Sequence, residues 1–164
     1  MIPEAETQFE QSIVDHVRDY GCHINYVFDR EVDQPAFAYS VGFPKTAGQP
    51  EVIVFGLPQK VMHFMINETL YQCVNGLRLE DWTEITGLLE GHRCIARAIP
   101  AERITREYFN SALWYFRTTT GEVLTEAVQL VWPSAQNGLF PWDEGCADDV
   151  RDLQPPLYRT GLNS

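Results

Sequence analysis

The sequence predicts a single α+β domain over residues 1–152, a largely antiparallel sheet with three helices, followed by a poorly ordered tail over 153–164. Three observations predict it. Apolar residues recur at helical spacing in three stretches, while six short runs either alternate with period two or are apolar throughout. Consecutive strand-like runs are also joined by turns too short to hold a crossover helix. A doubly wound parallel sheet needs strict alternation of strand and helix, which the first three strands lack. The 164 residues suit one domain, which at this size buries roughly 70% of its unfolded surface.

The elements follow in order. Phe9, Ile13, Val17 and Tyr20 form one helical stripe within residues 4–20, closed by Gly21 where helix ends favour glycine. From Cys22 to Phe28, Cys22, Ile24, Tyr26 and Phe28 alternate with His23 and Asn25, which puts the two polar residues on the second face of a strand. Residues 29–35 are a charged turn and 36–42 a second strand. Two prolines and Gly48 make 43–50 a loop. Residues 51–57 are apolar on both faces, as a central strand is.

Pro58 opens a second helix, with Val61, Met62, Phe64, Met65, Leu70 and Val74 as its inward side and Gly76 at its end. In residues 77–86, Asp81 or Thr83 could cap a short helix. Residues 88–99 read as a hairpin turning at Glu90-Gly91. Ile104, Tyr108, Ala112 and Tyr115 mark a third helix over 101–117, and Ala127–Trp132 is the last strand, stopped by Pro133.

Charge limits the function classes. Twelve Lys and Arg stand against 23 Asp and Glu, a formal net charge of −11. Nucleic-acid affinity and adsorption to anionic lipid both depend on cations, so neither nucleic acid nor a membrane is an expected partner. The N-terminus lacks the basic and apolar regions of a secretory signal, and the longest apolar run, Val52–Pro58, is too short to span a bilayer. A cytoplasmic location follows as the expectation. The dispersed cysteines Cys22, Cys73, Cys94 and Cys146 contain no C-x-x-C pair and read as buried free thiols.

Six residues are candidates for a shared pocket: His23, Tyr39, Glu51, Gln129, Trp132 and Trp142. His23 and Glu51 are the expected catalytic pair, because imidazole titrates near neutral pH and a carboxylate can orient it. Tyr39, Gln129, Trp132 and Trp142 would be ligand walls, flat surfaces with polar tips. The same residue types also serve as core aromatics and satisfied polar groups. His92 and Cys94, with Cys22, His23 or Cys146, are the only residues suggesting a metal, and none makes the tight ligand pair typical of zinc, so no metal site is expected. Cys94 and Cys146 carry no elbow or oxyanion loop of a nucleophilic cysteine. No phosphate or dinucleotide fingerprint is present; a cofactor is left open.

Four segments, Gly21-Cys-His-Ile, Pro35–Gly42 (PAFAYSVG), Pro50–Pro58 (PEVIVFGLP) and Gln129–Pro133 (QLVWP) followed by Phe140-Pro-Trp142, resemble a bacterial domain-of-unknown-function family, the one numbered 4262. The resemblance covers most of residues 10–145 and implies a cytoplasmic bacterial protein. Cys22-His23 and Gly48-Gln49-Pro50-Glu51 depart from the family's usual Trp-His and Gly-His-Pro-Glu.

Two functions follow as expectations. One is a small-molecule-binding or modest catalytic domain in which His23 carries the proton and Glu51 orients it. The other is an acidic interaction module, of immunity or inhibitor type, that captures a basic protein, since eight acids lie in residues 1–33 and five in 143–152.

Overall fold

The computed structural model describes residues 5–160; Met1–Glu4 and residues 161–164, which carry part of the acidic N-terminus and of the expected tail, lie outside them. The chain runs α1 (Gln8–Tyr20), β1 (His23–Val27), β2 (Phe37–Val41), α2 (Phe43–Ala47), β3 (Glu51–Phe55), α3 (Gln59–Val74), β4 (Thr83–Leu89), β5 (His92–Ile99), α4 (Arg106–Thr120), β6 (Ala127–Val131) and α5 (Asp148–Asp152). The strands form one sheet in the order β1-β2-β3-β6-β5-β4. Every neighbouring pair is antiparallel except β3 and β6. The α+β class with a mostly antiparallel sheet is therefore the observed one.

Alternation along the strands sorts the core into two faces. Ala38, Val52, Val54, Ala96, Val128, Leu130 and Trp132 pack with Met62, Met65, Ile66 and Leu70 of α3. Phe37, Tyr39, Val41, Ile53 and Phe55 face the other way, against Ile13 and Val17 of α1 and Phe109, Ala112 and Tyr115 of α4. Every residue of β2, β3 and β6 is buried, as strands covered on both faces must be. On this second face, Ile95 and Val131 are covered by Phe140, Trp142 and Tyr158.

Local chemistry sets the boundaries. The Thr7 hydroxyl accepts from the Glu10 amide at the start of α1, and Gly21 (φ 92°) closes it by donating to the Val17 carbonyl. Residues 43–47, expected as loop, are the short helix α2, because Pro44 falls in its first turn, where a missing amide hydrogen costs nothing. No helix forms in 77–86. Thr83 begins β4, and Asp81 instead accepts from Nε of Arg97 and the amide of Ala98.

The inward side of α3 is rotated from the expected one. Ile66, Thr69 and Cys73 are buried, whereas Phe64 and Val74 are exposed. Residues 101–103 are a separate 3-10 turn, so α4 starts at Arg106. Within α4, Phe109 leaves helical geometry (φ −138°, ψ 28°), for a reason that lies in the polar network below.

Residues 153–160, read from sequence as part of a loose tail, lie against the sheet. Gln154 donates to and accepts from the Trp132 backbone, and Gln129 grips Pro155 and Leu157 through both ends of its amide. Gly56 (φ 81°) permits this docking, since a Cβ there would sit 2.4 Å from the Leu153 carbonyl oxygen.

Candidate functional site

The free edge of β1 carries the densest polar arrangement. His23 and Asn25 project to the second face, as the alternation predicted, and the turn at Gly21 folds the end of α1 back so that His16 meets His23. Their rings stack with centroids 5.1 Å apart, and Nδ1 of His16 lies 2.8 Å from Nδ1 of His23. Nε2 of His23 is 2.6 Å from Oδ1 of Asn25. Nδ2 of Asn25 donates to the hydroxyls of Tyr39 and Ser111, each at 2.7 Å. The Ser111 amide donates to the Tyr39 hydroxyl at 2.9 Å. A side-chain oxygen inserted beside the helical ladder is a recognised cause of a kink, which accounts for the departure of α4 at Phe109.

Donor and acceptor roles in this chain are nearly determined. Asn25 spends its amide hydrogens on Tyr39 and Ser111, so its oxygen accepts from Nε2–H of His23. A neutral His23 with its proton on Nε2 then offers a bare Nδ1 to Nδ1–H of His16. With hydrogens on both Nδ1 atoms the 2.8 Å contact could not survive, so the pair holds at most one excess proton while it stands. Burial pushes the His23 pKa below its ordinary value, helped by the neighbouring His16, while the hydrogen bond to Asn25 opposes the shift.

The network opens to solvent through a groove of about 510 Å³ lined by His16, Tyr20, Cys22, His23, Ile24, His63 and Asn67. One wall is the end of α1, the other the outer turn of α3. Three imidazoles thus meet one groove. The Cys22 thiol, pushed up to about 12 by burial and then by the Glu51 charge, stays protonated and is no nucleophile at neutral pH.

The six residues singled out in the sequence do not share one hollow. His23 and Tyr39 come together through Asn25. Glu51 does not pair with His23: β2 lies between their strands, placing the backbones roughly 10 Å apart at ~4.8 Å per strand. The carboxylate instead accepts from the Ser40 hydroxyl (2.7 Å) and the amides of Gly42 (2.7 Å) and Phe43 (3.1 Å). Burial raises its pKa to about 7 against the pull of these donors. It borders a separate cavity of about 280 Å³ with Pro44, Lys45, Tyr115 and Thr119.

The other three residues have different employments. Gln129 is spent on the C-terminal segment. Nε1 of Trp132 donates to the Phe55 carbonyl at 2.8 Å in the core. Trp142 stands in a cleft formed with Trp82, Arg97 and Tyr158. Asn25, in turn, occupies the orienting position that the sequence reading assigned to Glu51.

Sequence reasoning missed His16, Ser111, His63 and Asn67. His16 could have been found from the tight turn at Gly21, which returns the chain two helical turns later; nothing local marks Ser111. Among the described residues no group of three or more His, Cys, Asp and Glu side chains could hold a metal ion. All four cysteines are buried and free. No helix of the described residues is long and apolar enough to cross a membrane.

A family model described as a domain of unknown function (DUF4262) matches residues 16–147. No curated protein and no solved structure matches the chain. The matched span holds the whole β1 network, from His16 to Ser111.

Proposed function

As the chain belongs to the DUF4262 family, we propose that it is a cytoplasmic small-molecule-binding domain with modest proton-transfer capability, seated in the groove on the free edge of β1. The observation that carries this reading is the hydrogen-bonded line from His16 through His23 and Asn25 to Tyr39 and Ser111, which ends in a solvent-open groove. His23 is the proton carrier. Its lowered pKa keeps it neutral at physiological pH, and because Asn25 and His16 occupy both of its ring nitrogens, a ligand's proton reaches it by way of His16. Asn25 fixes the tautomer, Tyr39 and Ser111 fix Asn25, and His63 and Asn67 are the polar tips that a ligand meets from α3. A small polar molecule with an acidic N–H or O–H is the class that such a lining suits.

Ligand-observed NMR with a mixture of small polar metabolites, comparing wild type with His23→Gln and His63→Ala, tests it. At least one component should bind wild type and lose contact in both variants, while the melting temperature of His63→Ala stays unchanged. Binding that ignores both substitutions, or no binding by any component, refutes the reading.

A second reading is favoured by the loop after β1. Asp29, Glu31 and Asp33 are exposed there beside exposed Phe28 and Val32, a surface suited to a basic protein partner. Capture of such a partner should weaken steeply with salt, since exposed charges are screened within about 8 Å at 0.15 M. Salt-insensitive capture contradicts it.

A further inference from the structure

The cleft between the β4–β5 hairpin and the C-terminal segment has a different chemistry. Its volume is about 610 Å³, within the range of small-ligand sites. In a chain of net charge −11, its lining contains Arg97, Arg151 and Arg159 and no carboxylate. It also contains the aromatic side chains Trp82, Trp142 and Tyr158.

Arg97 organises this cleft. Its guanidinium carbon lies 3.7 Å from the centre of a Trp82 ring, 4.6 Å from that of Tyr158 and 5.0 Å from that of Trp142. Its Nε donates to Asp81 at 2.9 Å. Its side chain is only 7% exposed, so Arg97 lines the cleft as a buried support for the rings around it. Arg151 is held as a wall by donating to the Pro141 and Asp143 carbonyls. Arg159 lines the cleft with a side chain 60% exposed and a long 3.4 Å contact to Glu102.

Trp82 adds a second, independent sign. It is the only non-glycine residue with positive φ (73°) among the described residues, a conformation that costs a bulky side chain free energy. The residue is nevertheless 53% exposed. Arg97 covers one face of this indole and Trp142 packs edge-on against it, so the exposed remainder is a stacking surface already backed by a cation.

We infer that this cleft binds a small ligand in which a planar aromatic ring carries an anionic group, the ring stacking on the face of Trp82 that Arg97 leaves open and the anion meeting Arg159. The site is independent of the β1 groove. Isothermal titration of the full chain with phenyl phosphate, benzoate, inorganic phosphate and benzyl alcohol tests it. One of the two aromatic anions should bind at least about tenfold more tightly than phosphate or benzyl alcohol, and whichever binds more tightly identifies the charged group. Trp82→Gly relieves the positive φ but removes the platform together with its contacts to Arg97 and Trp142, so it should weaken that binding about tenfold, measured at a temperature where circular dichroism shows the variant folded. Arg159→Gln, on an exposed side chain, should weaken the aromatic anion and leave benzyl alcohol unchanged. The inference is overturned if neither aromatic anion binds below about 10 mM, if inorganic phosphate binds as tightly, or if binding survives Trp82→Gly.

Discussion

Replacing Tyr39 with Phe removes one oxygen from the centre of the polar network. That oxygen accepts from Nδ2 of Asn25 and from the amide of Ser111, and Tyr39 is only 3% exposed. Asn25 keeps its second partner, the Ser111 hydroxyl, so most of the cost falls on the Ser111 amide. A buried donor left without an acceptor costs about 1–3 kcal/mol, and the ring itself is conserved, so no cavity term is added. A destabilisation of about 2 kcal/mol corresponds to a fall of roughly 4–8 °C in melting temperature for a chain of this size. Urea unfolding measures the free energy, and hydrogen exchange at the Ser111 amide reports the site directly. Exchange there should accelerate while α3 amides keep their relative protection. A loss below about 0.5 kcal/mol with unchanged Ser111 exchange would falsify the claim that the Tyr39 hydroxyl holds the kink in α4. It would mean that the helix can straighten and return this amide to a backbone carbonyl.

Three further outcomes follow from the same geometry. Glu51 has a folded-state pKa of about 7, above its ordinary 4.5, so the native state binds the extra proton between these values and wild type loses stability as pH rises through that window. Glu51→Gln should flatten this slope, a difference of about 3 kcal/mol across the window, read as the change in urea midpoint with pH. His23 behaves oppositely: its lowered pKa contributes stability that is present above pH 6.5 and lost as pH falls. In histidine NMR titrations its midpoint should lie below that of a free imidazole and rise when His16 is replaced by Gln; an unchanged midpoint in that variant removes His16 as a cause. Gly56→Ala should cost about 3 kcal/mol, from the left-handed backbone and from the collision with Leu153, and should make residues 153–160 an early site of limited proteolysis. Wild-type resistance in that variant contradicts the proposed docking.

Much of the scaffold was legible because period and punctuation are local properties. The helix ending at Gly21, the strand within 51–57 and the hairpin turn at Glu90-Gly91 each carry their own signal and each formed, although β3 stops at Phe55 and Phe9 and Tyr20 of the expected helical stripe are exposed. Prolines misled at 43–50, where position within the first helical turn, not proline content, decides the outcome. The inward side of α3 was mistaken because hydrophobicity alone does not distinguish Phe64 from Ile66; the sheet selects the phase. Of the candidate site, His23 and Asn25 were placed on the correct face by alternation. The expected pairing of His23 with Glu51 did not form, because β2 lies between their strands.

From residue order alone came the class of the fold, the three longer helices and most strands, the acidic balance and the free thiols, because each depends on neighbours a few positions away or on simple counts. The strand order, the parallel entry of β6 beside β3, the return of residues 153–160 across Gly56, the meeting of His16 with His23 and the gathering of Arg97 with three aromatic rings were decided only in three dimensions. Each is a contact between segments remote in the chain, selected by burial and by the need of every enclosed donor and acceptor to find a partner. No local pattern encodes that choice.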